Sequence, residues 1–480
     1  MVASRIRELI RPLDRRLDTP GGLFRLFYGL RNPPVGRGLG LDGVESEKLV
    51  HRYASALDRT CELFQKWGWP TPRRGSEGIV PVYVFRTERL GFGDCPLTFT
   101  GEVARRAYAS RIALRSCFDE PRPEIRDQRA SVEAAHEASH VFTHQFVPPI
   151  AAVGNLWRWF DEATAVFVES EVFPEYPESL RFGVYWNHCP EVPLTTWGGF
   201  GGYFAAWFVR YLVTTFGPEA LLEVWRGADD RSGPLDVLER VLGARGSDLA
   251  EVFWEYVQRS YAFDEVAPGL GEAFGPRSIT ETFRGPTAEG RPDPLFPMAC
   301  RYYRVAWGED DPTQALEVHG EGSLDASELR GALLTVGADG RVTDRTPMVA
   351  DPESLTILTA SARHPGAGAH TAVVVARVRP PEPLATSTPA TIQVALRPAE
   401  VEATRNESDL ATGFDDPAAR QSAFLGPRYA TLQPREDDEP REAGATRRGP
   451  AERDESGSEL PSNFRESAVS EYRRRRRSKP

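Results

Sequence analysis

His136, Glu137 and His140 stand in the string AAHEASH, an H-E-x-x-H pattern inside a stretch rich in alanine. On a helix, residues four apart share one face and lie about 6 Å apart along the axis, so both imidazoles can converge on one metal ion. Glu137 is turned by about 100° from His136 yet stays close to the same edge, where its carboxylate can reach a water on the metal rather than the metal itself. That arrangement suits water activation. Zinc lowers the pKa of a bound water from about 15.7 towards about 7, and the neighbouring carboxylate takes the proton.

A catalytic zinc takes three protein ligands and keeps a fourth position for water, so a third donor is needed. His144 is nearest in sequence, but it lies about 12 Å along the helix from His136, beyond what two nitrogens at about 2.1 Å from one ion can span. His144 is therefore expected to support the ligands or to sit in the core. The metzincin pattern requires a glycine at 143 and a histidine at 146; Thr143 and Phe146 exclude it.

HEASH is followed by W-F-D-E-A-x-A-x-x-x-E over residues 159–169. This pair of motifs resembles the gluzincin peptidases, whose pattern is H-E-x-x-H, a short gap, then W-x-x-E-G-x-A. The resemblance implies that Glu162 is the third zinc ligand; Ala163 stands where the family has glycine. In one branch a carboxylate four residues further on orients a zinc-bound histidine, but that position is Val166 here, which leaves Glu169 or Asp161 for the task. The helix of residues 45–68, the VPVYVF strand and the GFGDC loop look like the N-terminal half of such a domain, where an edge strand aligns the peptide. GGYFAAWFVRYLVTTFG is similar to the family's helix Y-x-x-G-x-x-F-x-x-Y-L-x-x-x-Y-G, so the likeness covers about residues 45–262.

The resemblance also implies the activity: a zinc-dependent metallopeptidase that acts on a peptide or protein by Glu137-assisted attack of zinc-bound water. A Tyr or His after the third ligand would stabilise the tetrahedral oxyanion, and loss of one such donor typically costs about 3 kcal/mol of transition-state stabilisation. Tyr203 is the first choice, with Tyr185 and His188 in YWNHC as alternatives. The G-x-M-E-N loop of the aminopeptidase branch is absent. A catalytically inactive peptidase-like scaffold is the rival reading, and the intact His136, Glu137 and His140 set argues against it.

These side chains need elements to position them. Residues 45–68 space Leu49, Tyr53, Leu57, Cys61 and Phe64 at helical intervals and end at Gly68. Ile79 to Phe85 and Tyr108 to Leu114 read as strands, giving a small sheet beside that helix. Ser131 to Phe146 is helical and stopped by Pro148 and Pro149; further helices are expected over 157–172, 203–216, 218–227 and 246–262. Beyond about residue 290, short runs such as RYYRVAW, GALLTVG, HTAVVVARV and TIQVALRP are bounded by Gly, Pro or Asp, which suggests a β-sandwich. From residue 402 charged, Pro, Ser and Gly residues dominate and apolar clusters are rare, so disorder is expected. The fold class is thus α+β. An extension (1–44) is followed by a zincin-like peptidase domain of small sheet plus helical bundle (45–285), a sandwich-like domain (290–401) and a disordered tail (402–480).

The chain has 480 residues and a net charge of −11, which argues against a nucleic-acid surface because phosphate binding needs a positive field. Arg473 to Arg477, followed by Lys479, are the exception: a solvated tail, or a handle for a partner or an anionic surface. The five cysteines are widely spaced without a CxxC, so neither a disulfide framework nor a cysteine zinc site is expected. With no apolar leader run and no stretch of about 18 uninterrupted apolar residues, the expected location is the cytoplasm and no transmembrane segment is expected.

Overall fold

The computed structural model describes residues 13–30, 44, 46–72, 78–85, 97–104, 107–116, 122–147, 156–176, 189–196, 201–229, 232–262, 265–266, 279–284, 288–307, 314–321, 328–350, 357–362, 365–366, 368–378 and 389–398. The chain is a mixed α+β protein. The described residues all fall within one compact unit, Met1–Ala403. The expected disordered tail, its arginine run and the GFGDC loop lie outside the described residues. Among the described residues no helix is long and apolar enough to cross a membrane.

The first sheet holds β1 (Arg15–Asp18), β2 (Phe24–Tyr28), β3 (Val80–Phe85), β4 (Leu97–Ala104) and β5 (Ala107–Arg115) in the order β1-β2-β3-β5-β4. β2, β3 and β5 run parallel, and β1 and β4 close the two edges antiparallel. Two of these strands belong to the segment read as an extension, so the sheet begins before residue 45. Helix α1 (Glu47–Lys66) packs beside it, burying Val50, Tyr53, Leu57, Cys61 and Phe64 along one stripe. Gly68 follows at φ 73°, the left-handed turn that lets the helix end sharply.

Helix α2 (Pro123–Thr143) starts two turns before the position expected from the sequence, with a proline in its first turn. Those extra turns, PEIRDQR, are polar and carry no apolar rhythm, so periodicity overlooks them. From Ala130 to Thr143 every residue of α2 is buried, which makes it a central helix covered on all sides. Helix α3 (Arg158–Val172) lies against it, and Phe142 stacks on Phe64 of α1 with ring centroids 4.2 Å apart. The remaining helices are α4 (Gly201–Phe204), α5 (Ala206–Phe216), α6 (Pro218–Arg226), α7 (Pro234–Gly243) and α8 (Leu249–Arg259). The single helix expected over 203–216 is interrupted at Ala205, and α7 has no counterpart in the sequence reading.

The C-terminal half contains β6 (Glu281–Arg284), β7 (Ala288–Glu289), β8 (Asp293–Leu295), β9 (Ala299–Ala306), β10 (Gln314–Glu321), β11 (Leu329–Val336), β12 (Val342–Pro347), β13 (Val349–Ala350), β14 (Ile357–Ala362), β15 (His370–Arg377) and β16 (Ala390–Pro398). One sheet runs β13-β14-β10-β16-β7 with β8 also on β16; the other runs β12-β11-β15-β9-β6. Val318, Leu358, Ile392 and Val394 of the first share a core with Leu333, Val373, Val375 and Tyr303 of the second. The opposite face of the second sheet, Tyr302, Leu334, Ala372 and Val374, joins the same core as the helices. Burial on both faces explains why β15 reads as a continuous apolar run. Tyr302 completes the join: its hydroxyl donates to the Val257 carbonyl at 2.6 Å.

Candidate metal centre

α2 and α3 lie antiparallel, as the contacts order themselves: His136 meets Glu169, and His144 meets Asp161. His136 and His140 share the face of α2 that looks at α3, with ring centroids 4.8 Å apart. Nδ1 of His136 is 2.6 Å from Oε1 of Glu169, and Nδ1 of His140 is 3.1 Å from Oδ2 of Asp161. Glu169 accepts from the Nδ1–H of His136, which leaves that ring's lone pair on Nε2, whereas Asp161 stands beside Nδ1 of His140 as a charge partner without an aligned hydrogen bond. Both Nε2 atoms face Glu162, whose Oε2 lies 3.1 Å from that of His136 and 3.8 Å from that of His140.

One ligand atom each from His136, His140 and Glu162 can thus be drawn from a set within 4.8 Å of one another. Two neutral imidazole nitrogens and one carboxylate oxygen, each imidazole backed by a second carboxylate, fit the donor set of a catalytic zinc. The three sequence-expected ligands come together. The sequence left support of the histidines open between Glu169 and Asp161; both take part, one on each ring, and buried Val166 takes no share in it.

A second close-set trio, His140, His144 and Asp161, is wholly buried. Asp161 accepts from Nε2 of His144 at 2.8 Å and from Oγ1 of Thr143 at 2.7 Å. A metal here would need Nδ1 of His140 while Nε2 serves the first group, which would strip the imidazole of both ring protons. Asp161 instead stands 3.1 Å from Nδ1 of His140 while bonded to His144 and Thr143, so this trio braces His140 in place. Burial works against the charge on Asp161, but His140 and His144 outweigh it and hold the carboxyl well below the usual range.

Glu137, on the adjoining edge of α2, reaches the first sheet. Its Oε2 accepts from Oγ1 of Thr98 on β4 at 2.7 Å. Burial pushes the Glu137 carboxyl up, against the pull of His140, His136 and the Thr98 hydrogen bond, and a raised carboxylate is a stronger base. One turn earlier, Glu133 pairs with Arg115 of β5, whose Nε lies 3.0 Å from Oε2. The sequence reading named neither Thr98 nor Arg115. The Thr98 contact spans 39 positions, and no motif marks it.

Tyr203 on α4 lies beside the ligands, its ring centroid 6.0 Å from that of His136. Burial and the charge of Glu162 push its hydroxyl pKa up, so it stays protonated and can donate. Its placement depends on Gly202, where an added Cβ would come within 3.1 Å of the Trp159 Cα and 3.3 Å of the Glu162 Cβ. Gly202→Ala must push α4 away from α3 and is expected to cost about 1–3 kcal/mol of stability, read as a lower melting temperature. An unchanged melting temperature would mean that α4 yields freely. The alternatives Tyr185 and His188 lie outside the described residues.

Any metal held by this group would compete with protons for the two histidines. Burial lowers the proton affinity of His136, but the hydrogen bonds and charges of Glu162 and Glu169 more than reverse this and raise it well above the usual value. Asp161 raises His140 in the same way. A metal must displace these protons, so affinity is full above the raised histidine values and weakens as pH falls through them. Zinc affinity, measured against a chromophoric chelator, is expected to drop at least about tenfold per pH unit in that range, with proton release on binding. A pH-independent affinity would show that the rings are already neutral.

No curated protein matches the chain. Residues 122–272, which carry α2, α3, Tyr203 and all three candidate ligands, match a family described only as "Family of unknown function (DUF6055)".

Proposed function

We propose that this chain is a zinc-dependent metallopeptidase of the gluzincin kind, built on a zincin-like domain. The observation that carries the reading is the convergence of His136, His140 and Glu162, each imidazole with its own carboxylate beside Nδ1, with Glu137 one residue along on the adjoining edge. The fold around it agrees: β4 closes the sheet antiparallel next to Glu137, where an extended peptide can add as a further strand.

When bound, zinc supplies a Lewis acid that acidifies water and polarises a carbonyl. Glu137 takes a proton from the attacking water as its oxygen bonds to the carbonyl carbon. It then passes that proton to the amine nitrogen as the C–N bond breaks. Tyr203, kept protonated, donates to the carbonyl oxygen as negative charge gathers there. Glu169 holds the His136 imidazole in the tautomer that leaves Nε2 free to bind metal, and Asp161 stands against Nδ1 of His140.

The test is cleavage of a mixed peptide library by the purified, zinc-supplied chain, followed by mass spectrometry. Cleavage that stops with a chelator and returns with zinc supports the peptidase. Zinc binding without cleavage of any peptide would move the reading to an inactive scaffold.

A further inference from the structure

Thr98 sits on β4 opposite Ile112 of β5, at the edge of the first sheet. Its Oγ1 is 2.7 Å from Oε2 of Glu137 and 2.9 Å from the main-chain oxygen of the same residue. A hydroxyl has one hydrogen to give. The Glu137 carbonyl lies inside α2, where the amide four residues on already donates to it. The carboxylate oxygen is therefore the acceptor that depends on Thr98.

The first sheet grips α2 at two carboxylates one turn apart, Arg115 on Glu133 and Thr98 on Glu137. The face carrying His136 and His140 is meanwhile held by α3. A glutamate has much rotamer freedom to lose on ordering. Beside the two imidazoles, an unfastened Glu137 could swing towards the ligand atoms and leave the edge from which it reaches water.

We infer that Thr98 is the positioning residue of Glu137: it occupies Oε2 and leaves Oε1 as the oxygen that receives the water's proton. This rests on the peptidase reading above. The step balances without Thr98 changing state. Water gives its proton to Oε1 as its oxygen bonds to carbon, that proton leaves on the amine nitrogen, and the Thr98 hydrogen stays where it is.

The experiment compares wild type with Thr98→Val, which keeps the shape, and Thr98→Ser, which keeps the hydroxyl. All three are zinc-supplied and assayed on one fluorogenic peptide that wild type cleaves. Thr98→Val is expected to lower kcat about 10- to 100-fold, the usual effect of losing a supporting partner, with KM and zinc content unchanged, and Thr98→Ser is expected to restore kcat. A Thr98→Val kcat within about twofold of wild type, or a change confined to KM, overturns the assignment. If wild type cleaves nothing, the peptidase reading fails separately, and crystal structures of zinc-loaded wild type and Thr98→Val still decide this point. Displacement of the Glu137 carboxylate or its spread over several rotamers in Thr98→Val supports positioning by Thr98; an unmoved single conformer overturns it. Should Thr98→Val fail to fold, Thr98→Ala replaces it under the same criteria.

Discussion

Glu137→Gln is expected to keep zinc and the native melting profile while lowering turnover of a cleaved peptide by about 10²- to 10⁴-fold, the range over which a positioned acid–base group acts. Glutamine preserves the shape and can still meet the Thr98 hydroxyl through its amide oxygen, but it cannot accept the water's proton. The carboxylate is buried and feels the charges of His140 and His136, so in the proposed reaction its loss removes the group that carries a proton from water to the leaving amine. The loss should appear in kcat, with KM little changed, because the proton moves only as the transition state is reached. Turnover within about threefold of wild type would remove Glu137 from the reaction.

His140→Ala and Glu162→Ala are expected to abolish stoichiometric zinc binding, read by elemental analysis after equal dialysis against wild type. An apparent binding free energy of about 10–16 kcal/mol for a well-built zinc site, shared among four ligands, is about 3 kcal/mol for each, or at least about a 100-fold loss of affinity. Glu169→Gln should weaken binding by less, about tenfold at the lower end for a residue acting through a ligand, because the glutamine oxygen still accepts from Nδ1 of His136. His140→Ala also leaves Asp161 with one fewer partner among buried groups. Circular dichroism of each variant therefore has to accompany the metal analysis. Wild type without zinc after resupply, or Glu162→Ala with full zinc, would dismiss the three-ligand site.

The strands beyond residue 290 were legible because each alternates or runs apolar between Gly, Pro and Asp, and β9, β11, β15 and β16 fall where those runs are. β12 was not legible: its VTDRTP side chains are almost all exposed at the edge of its sheet, so it carries no apolar signal. Nor was β4 placed. The sequence reading treated its surroundings as a glycine loop, whereas its role comes from pairing with β5 and from reaching Glu137.

By itself the sequence determined the spacing of His136, Glu137 and His140 on one helix, because a helix converts a count of residues into angles and distances with little help from the rest of the chain. It also pointed to Glu162 through the second motif. Only the tertiary structure decided the division of labour between Glu169 and Asp161, the place of His144 beside Asp161 and the grip of Thr98 on Glu137. Each of those contacts joins separate elements, and its geometry depends on how α2 packs between α3 and the first sheet, which no local pattern of residue types encodes.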